Sequence, residues 1–260
     1  PETLLKDVID GLDAAKDDAR IKIVVLDLTK MDRSGLSKLQ EAAAAIRALR
    51  TAGKRVIAIG DYYDQSQYYL AAQAGEVYLD PLGLVYVDGF GYYRSFLKDA
   101  IDKLAIDINV FRVGTFKSFT EQFTRSDMSA AEREASSVWL NALWTAYQQD
   151  VTRARSLPAT ALTDYITQAP SALAAVNGDA AQLALQRGLV TAIKSRNQVA
   201  DEIKALVGED RSSHSFNAVD LPQYLAAVRS EHVLRARHGS KLGVVVAAGD
   251  ILDGRQPPGR

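Results

Sequence analysis

The sequence predicts an α/β domain built on a parallel sheet, and three observations carry that expectation. Short apolar runs rich in β-branched residues, at Ile21 to Leu28, Arg55 to Ile59 and Lys241 to Ala248, are of the kind buried on both faces of a sheet. Stretches with helical spacing alternate with these runs, as crossover connections between parallel strands require. Turn residues such as Gly53 and Asp80-Pro-Leu-Gly83 fall where one element must stop and another begin.

Taken in order, residues 3 to 18 carry Leu4, Leu5, Val8, Ile9 and Leu12 at helical spacing and lead into the first strand, Ile21 to Leu28. Leu36 to Leu49 repeats the pattern with Leu39, Ala43, Ile46 and Leu49; Gly53 stops it, and Arg55 to Ile59 is the next strand. Gln65 to Ala74 is a short helix, Val77 to Leu79 a strand, and Val85 to Val87 a further strand beyond the turn. Phe96 to Leu104 is helical and feeds a strand over Ile106 to Val113, which ends just before Lys117. From Ser129 the texture changes. Ser129-Ala-Ala-Glu132 is a capping box, and Trp139, Leu143, Ala146, Tyr147 and Val151 define one face of a long helix reaching about Ser156. Residues 158 to 207 form shorter helices with a small strand at Leu189 to Ile193, Glu209 to Asn217 is a polar linker, and Leu221 to Arg237 is a charged helix. Lys241 to Ala248 then opens a new unit. The chain starts at Pro1 without a methionine and ends in Gln-Pro-Pro-Gly-Arg, as expected of a piece of a longer polypeptide.

Composition narrows the function classes. The 260 residues, 47% hydrophobic and 24% charged, suffice for one large core or two modest ones. A net charge of -1 supplies no field for nucleic acid, so none is expected as a partner. Cysteine is absent, which excludes disulfides, thiolate nucleophiles and cysteine-ligated metals. The three histidines, His214, His232 and His238, are late and flanked by polar residues; they read as solvated and supply neither a histidine triad nor a zinc site. No phosphate loop or dinucleotide fingerprint occurs, and no cofactor is expected. No apolar run approaches the roughly 20 residues of a membrane helix, and no signal peptide is visible.

Lys117 is the leading candidate for chemistry. It follows the end of an apolar run, where α/β folds commonly place their reactive groups. A lysine acts as a base only where a dry or cationic setting favours the neutral amine, and Phe116, Phe119 and Phe123 are placed to dry it, with Ser118 and Thr120 available as hydrogen-bond partners. A solvated charge beside ordinary core aromatics is the competing account. Ser66, at the start of a helix after a strand, has the setting of a hydrolase nucleophile, but Gln65 and Gln67 stand where glycines would admit a substrate carbonyl; a helix-start serine is the better reading. Asp17-Asp18 and Glu132/Glu134 read as solvated helix faces. The doublets Tyr62-Tyr63, Tyr68-Tyr69 and Tyr92-Tyr93 could line a cleft, though packing with the hydroxyl exposed is the commoner use.

These residues resemble a known family. The block from Phe111 to Arg125, Phe-Arg-Val-Gly-Thr-Phe-Lys-Ser-Phe-Thr-Glu-Gln-Phe-Thr-Arg, followed by Asp127-Met-Ser129 and the long helix, is similar to the N-terminal half of the long, two-repeat form of the signal peptide peptidase A (protease IV) family. Gly60 to Leu70, Val87 to Phe90 and Gly243 to Gly254 fit the same family in order. The resemblance implies a crotonase/Clp protease-like α/β fold of ββα units, repeated twice in the full polypeptide, with a long helix and a helical extension. On this basis residues 1–128 are the core carrying the base lysine, 129–238 a helical extension and linker, and 239–260 the first strand of a second repeat.

The same resemblance implies a membrane-associated serine peptidase on the periplasmic side of the bacterial inner membrane, anchored outside this chain, which degrades signal-peptide remnants as a homo-oligomer. Its dyad is divided, with the lysine base in the first repeat and a Ser-Gly-Gly nucleophile in the second. Lys117 matches the base. The position equivalent to the nucleophile is Gln65, so this stretch alone is expected to be proteolytically silent. Two rival readings remain at this stage: an acyl-CoA-processing crotonase, for which no nucleotide pocket or paired carboxylates are legible, and a non-catalytic oligomeric scaffold.

Overall fold

The structure is a computed structural model that describes residues 3–235 except 112, 115, 116 and 213, with side chains described as far as Glu231. Four parallel strands form its sheet in the order β1 (Ile23–Asp27), β2 (Arg55–Gly60), β3 (Glu76–Leu79), β4 (Ala192–Ile193). Parallel neighbours need a crossover between them. Helix α2 (Leu36–Thr51) supplies it between β1 and β2, and α3 (Gln65–Ala71) between β2 and β3, while α1 (Leu5–Asp17) precedes β1. Between β3 and β4 the chain makes a long excursion through α4 (Lys98–Lys103), α5 (Glu121–Thr124), the long α6 (Ala130–Arg155), α7 (Ala161–Thr167), α8 (Ala169–Ala175) and α9 (Ala180–Gln186). Helices α10 (Arg196–Val207) and α11 (Leu221–Arg235) close the described chain.

Strand alternation divides the core into two layers. Val56 and Ala58 of β2 and Val77 and Leu79 of β3 pack with Leu39, Ala43, Ile46 and Leu49 of α2, and with Tyr147 and Val151 of α6. Ile57 and Tyr78 face the other way onto Val199 and Ile203 of α10. Burying an aliphatic side chain of this size contributes about 1.5–3 kcal/mol, so the α2 stripe alone holds that helix to the sheet. A charged cluster pins α10 over the second face. The Arg55 guanidinium bonds Glu76 at 2.6 Å and Glu202 at 2.6 Å, and Lys194 pairs with the same Glu202.

The expected parallel α/β architecture is therefore present, with three corrections to its elements. Ile106 to Val113 forms no strand over its described residues; Ile106, Ile108, Phe111 and Val113 are all exposed. An apolar run becomes a strand only where a sheet edge offers backbone partners, and the described residues of this one pair with no strand. Val85 to Val87 reduces to a single parallel bridge between Val85 and Tyr63. The run from Ile21 to Leu28 does form β1, yet its residues are only partly buried, unlike those of β2 and β3. Lys241 to Ala248 lies outside the described residues.

Ser129 caps α6 as its sequence predicts, its side chain accepting from the Glu132 N–H. The reciprocal bond to the Ser129 N–H comes from Glu121, at 3.0 Å, where Glu132 was expected. The acceptor at the cap is thus borrowed from the preceding helix, which locks α5 against the start of α6.

Candidate active site

The entrance to α3 is built around glutamine side chains. A Cβ at Gly60 would lie 2.7 Å from the Tyr63 ring, so only glycine lets the chain turn tightly off the end of β2. Asp64 accepts from the Gln67 N–H and Gln67 accepts from the Asp64 N–H, completing a capping box. The remaining Gln67 donor group reaches Leu28 O at 3.0 Å and Met31 O at 3.1 Å, tying the loop after β1 to the helix.

Gln65 is buried. Its Oε1 accepts from the backbone N–H of Asp88 at 3.1 Å and of Gly89 at 2.7 Å, and its Nε2 donates to Gly89 O at 2.9 Å. The Tyr147 hydroxyl donates to the Gln65 carbonyl at 2.9 Å. Two adjacent N–H groups converging on one oxygen are what an oxyanion needs, and here a neutral carboxamide of the same chain fills them. The pair at Asp88–Gly89 was not legible as a functional element, although Gly89, with φ of 77°, marks the backbone that aims it. Ser66 accepts from the Ser34 N–H at 3.3 Å and is buried beside a cavity of only about 20 Å³, shared with Gln65, Phe90 and Tyr147. No peptide fits there.

Lys117 stands on a different element. It is the residue before a single 3₁₀ turn, Ser118–Thr120, that runs into α5. The turn is footed by Arg94, which donates to Phe119 O at 2.7 Å, and by the Leu97 N–H, which donates to Gln122 O at 2.6 Å. Ser126 bonds Asp99 at 2.7 Å, and the buried Glu121 accepts from the Ser129 hydroxyl at 2.6 Å. The lysine's base is thus held while the residue itself is exposed. Of the aromatics expected to dry it, Phe119 is 75% exposed and Phe123 half-buried, and Phe116 lies outside the described residues. The same segment presents Phe111 and Val113 almost wholly to solvent, with Tyr93 and Leu104 nearby in the excursion.

The tyrosine doublets divide. Tyr63, Tyr68 and Tyr69 are core residues whose hydroxyls are satisfied inside: Tyr63 donates to Tyr78 O, Tyr68 to Leu189 O at 2.8 Å, and Tyr69 to Asp150. Burial pushes all three phenols above their usual range. Tyr62, Tyr92 and Tyr93 are exposed. His214 is exposed with Nδ1 3.5 Å from Glu209, and the side chains of His232 and His238 lie outside the described residues. Among the described residues no three His, Asp or Glu side chains gather as metal ligands, and no helix is long and apolar enough to cross a membrane.

Comparison with known proteins places this geometry in context. Protease 4 of Salmonella typhi is 34% identical over 258 residues, covering 99% of this chain and 41% of that protein. Protease 4 of Haemophilus influenzae is 36% identical over 250 residues, covering 95% and 40%. The chloroplastic serine protease SPPA of Arabidopsis thaliana is 23% identical over 207 residues, covering 80% of this chain and 29% of its own. The chain therefore spans about two fifths of the length of the two Protease 4 relatives. A solved enoyl-CoA hydratase/isomerase family protein from Silicibacter pomeroyi overlays with a TM-score of 0.38 at 15% identity, over 88% of this chain and 87% of that one. The model of peptidase family S49 matches residues 48–208, a span that runs from α2 to the end of α10 and takes in Gln65, the Asp88–Gly89 donors and Lys117; the chain belongs to peptidase family S49.

Proposed function

We propose that this chain supplies the general base of a Ser/Lys peptidase whose nucleophilic serine lies in a second repeat outside it. The observation that carries the reading is the contrast between two positions. At the α3 entrance a glutamine stands at the nucleophile's position and fills the paired N–H donors of Asp88 and Gly89 beside it, whereas Lys117 stands exposed on a footed turn among uncovered apolar side chains. That is the arrangement of half a site, open toward a surface that would complete it.

In the completed site the neutral amine of Lys117 takes the proton from the serine hydroxyl as its oxygen attacks the peptide carbonyl, and backbone N–H groups of the second repeat hold the oxyanion. The lysine then returns the proton to the departing amine, and an activated water clears the acyl-enzyme. A lysine base needs no histidine partner, which agrees with the chain's three histidines all lying far from the turn in sequence. The substrates we assign are apolar signal-peptide remnants at the periplasmic face of the inner membrane, reached through an anchor outside the described residues. We assign the active form to a homo-oligomer.

Lys117→Ala in the complete protein is expected to abolish peptide cleavage while leaving the circular dichroism and urea midpoint unchanged. Turnover retained within tenfold in that variant removes Lys117 from the mechanism. The 260-residue chain alone is expected to be silent on the same peptide, and cleavage that disappears on Ser66→Ala would move the nucleophile into this chain.

A further inference from the structure

Lys117 belongs to the excursion between β3 and β4, so its position depends on how that excursion is tied to the core. The rigid reference is α6. Its far half is seated in the core through Tyr147 and Val151, both fully buried, and Tyr147 also bonds the Gln65 carbonyl at the α3 entrance. Glu132, in the first turn of α6, lies fifteen residues before Tyr147, about 22 Å along a helix that rises 1.5 Å per residue. A continuous helix with one half buried extends the rigidity of the core to its other end.

The connection from α6 to the lysine runs through residues 92–94. Tyr92 sets its ring edge-on to Trp139, with centroids 5.8 Å apart, and the Arg94 guanidinium lies 4.0 Å from the Glu132 carboxylate. Glu132 and Trp139 are seven residues apart and so share one face of α6, while Tyr93, between the two anchored side chains, is exposed. The Arg94 and Glu132 side chains are only 12% and 11% exposed, so water screens their attraction little. Glu132 is itself oriented, since the Ser136 hydroxyl donates to it at 3.3 Å and its own N–H donates to the Ser129 hydroxyl at 3.1 Å. From this seat Arg94 donates to Phe119 O at 2.7 Å, at the middle of the 3₁₀ turn that Lys117 leads into. Hydrogen bonds from a charged donor are stronger than neutral ones, and this one grips the backbone two residues past the lysine.

We propose that Arg94 is a positioning residue for Lys117, held by Glu132 and fixing the turn against α6 so that the amine stands at one place. The proposal rests on the assignment of Lys117 as the general base. Arg94 governs where the amine meets the serine hydroxyl, and a misplacement of about 1 Å can cost on the order of a hundredfold in rate. Peptide binding, and the pH at which the lysine loses its proton, lie outside its role.

The test uses the complete protein and a quenched fluorescent peptide of apolar residues. Arg94→Met keeps much of the side-chain length and removes the charge and the donors. Its kcat is expected to fall at least tenfold, with KM within twofold of the native value and the inflection of log kcat against pH in place. Arg94→Lys keeps the charge without the planar fork, and is expected to turn over at least threefold faster than Arg94→Met. Where Arg94→Met fails to fold, Glu132→Gln takes its place, with an expected loss in kcat of at least threefold. Unchanged kcat in the variant that folds overturns the proposal, as does a loss confined to KM. A shifted inflection overturns it in favour of an electrostatic effect on the lysine, and Arg94→Lys no faster than Arg94→Met overturns it in favour of packing alone. Lys117→Ala keeps the two assignments apart. Turnover retained in that variant removes the base and the positioning role together, whereas turnover lost there and intact in Arg94→Met removes the positioning role only.

Discussion

Gln65 decides what the α3 entrance can do. Its carboxamide satisfies two N–H groups and one carbonyl of the Asp88–Gly89 backbone, so three polar groups depend on one side chain's position, while its backbone carbonyl separately accepts from Tyr147. Leaving a buried donor or acceptor unmade costs about 1–3 kcal/mol, and some of these groups will recruit water. Gln65→Ala is therefore expected to lose about 2–3 kcal/mol in urea unfolding, with faster amide exchange at Gly89. An unchanged midpoint would mean that another contact holds the 88–89 loop. Tyr147→Phe keeps the stacked ring against Trp144 and removes only the hydroxyl, so its expected loss is about 1 kcal/mol. At this scale the sequence was legible only in part. That Ser66 is a helix-start serine could be read from its neighbours Gln65 and Gln67, because glycine flanks are a local requirement of a nucleophile elbow, whereas the equivalence of Gln65 to a nucleophile is what the family resemblance implies. What the glutamine does instead depends on a loop 23 residues away, and no local pattern reports that contact.

At the scale of elements, the seam between α10 and the sheet is electrostatic as well as apolar. Hydrogen bonds from Arg55 hold the Glu76 carboxyl below its usual range, and Lys194, followed by Arg55, does the same for Glu202. Carboxyls depressed in the folded state stabilise it above their unfolded value near 4.5, and that contribution disappears as pH falls through the lower folded values. Urea midpoints are therefore expected to hold from pH 7 to about 5 and to fall below about 4.5. In Arg55→Met the pH 7 midpoint should be lower and the acid decline shallower; a parallel decline in both proteins would assign the acid sensitivity to other carboxyls. The helices and β1 to β3 were legible in the sequence because their apolar period is local and their stops carry glycine or polar caps. Ile106 to Val113 has the composition of a strand and forms none over its described residues, since pairing is a property of available edges and not of the run. The short β4, two residues long, is defined by its pairing to β3 and has almost no signature of its own.

Over the whole molecule, the apolar surface is unevenly spent. The sheet, α2, α3 and the middle of α6 share one continuous core, whereas the excursion bearing Lys117 leaves Tyr93, Leu104, Phe111, Val113 and Phe119 uncovered. Isolated exposed apolar residues are ordinary, and a set this large within one excursion is what the proposed seat of a second repeat would require. If that surface is the seat of the repeat carrying the serine, its residues contribute little to this chain's own stability and much to the completed site. Phe111→Ser and Val113→Ser should then leave the urea midpoint of the 260-residue chain within about 0.5 kcal/mol of the native value, as surface changes do. In the complete protein the same pair should reduce peptide turnover at least tenfold, because the lysine is no longer enclosed or aligned against the serine. Unfolding of the isolated chain by the pair would instead show these residues to be part of its core. Unchanged turnover in the complete protein would separate the exposed patch from the catalytic site altogether.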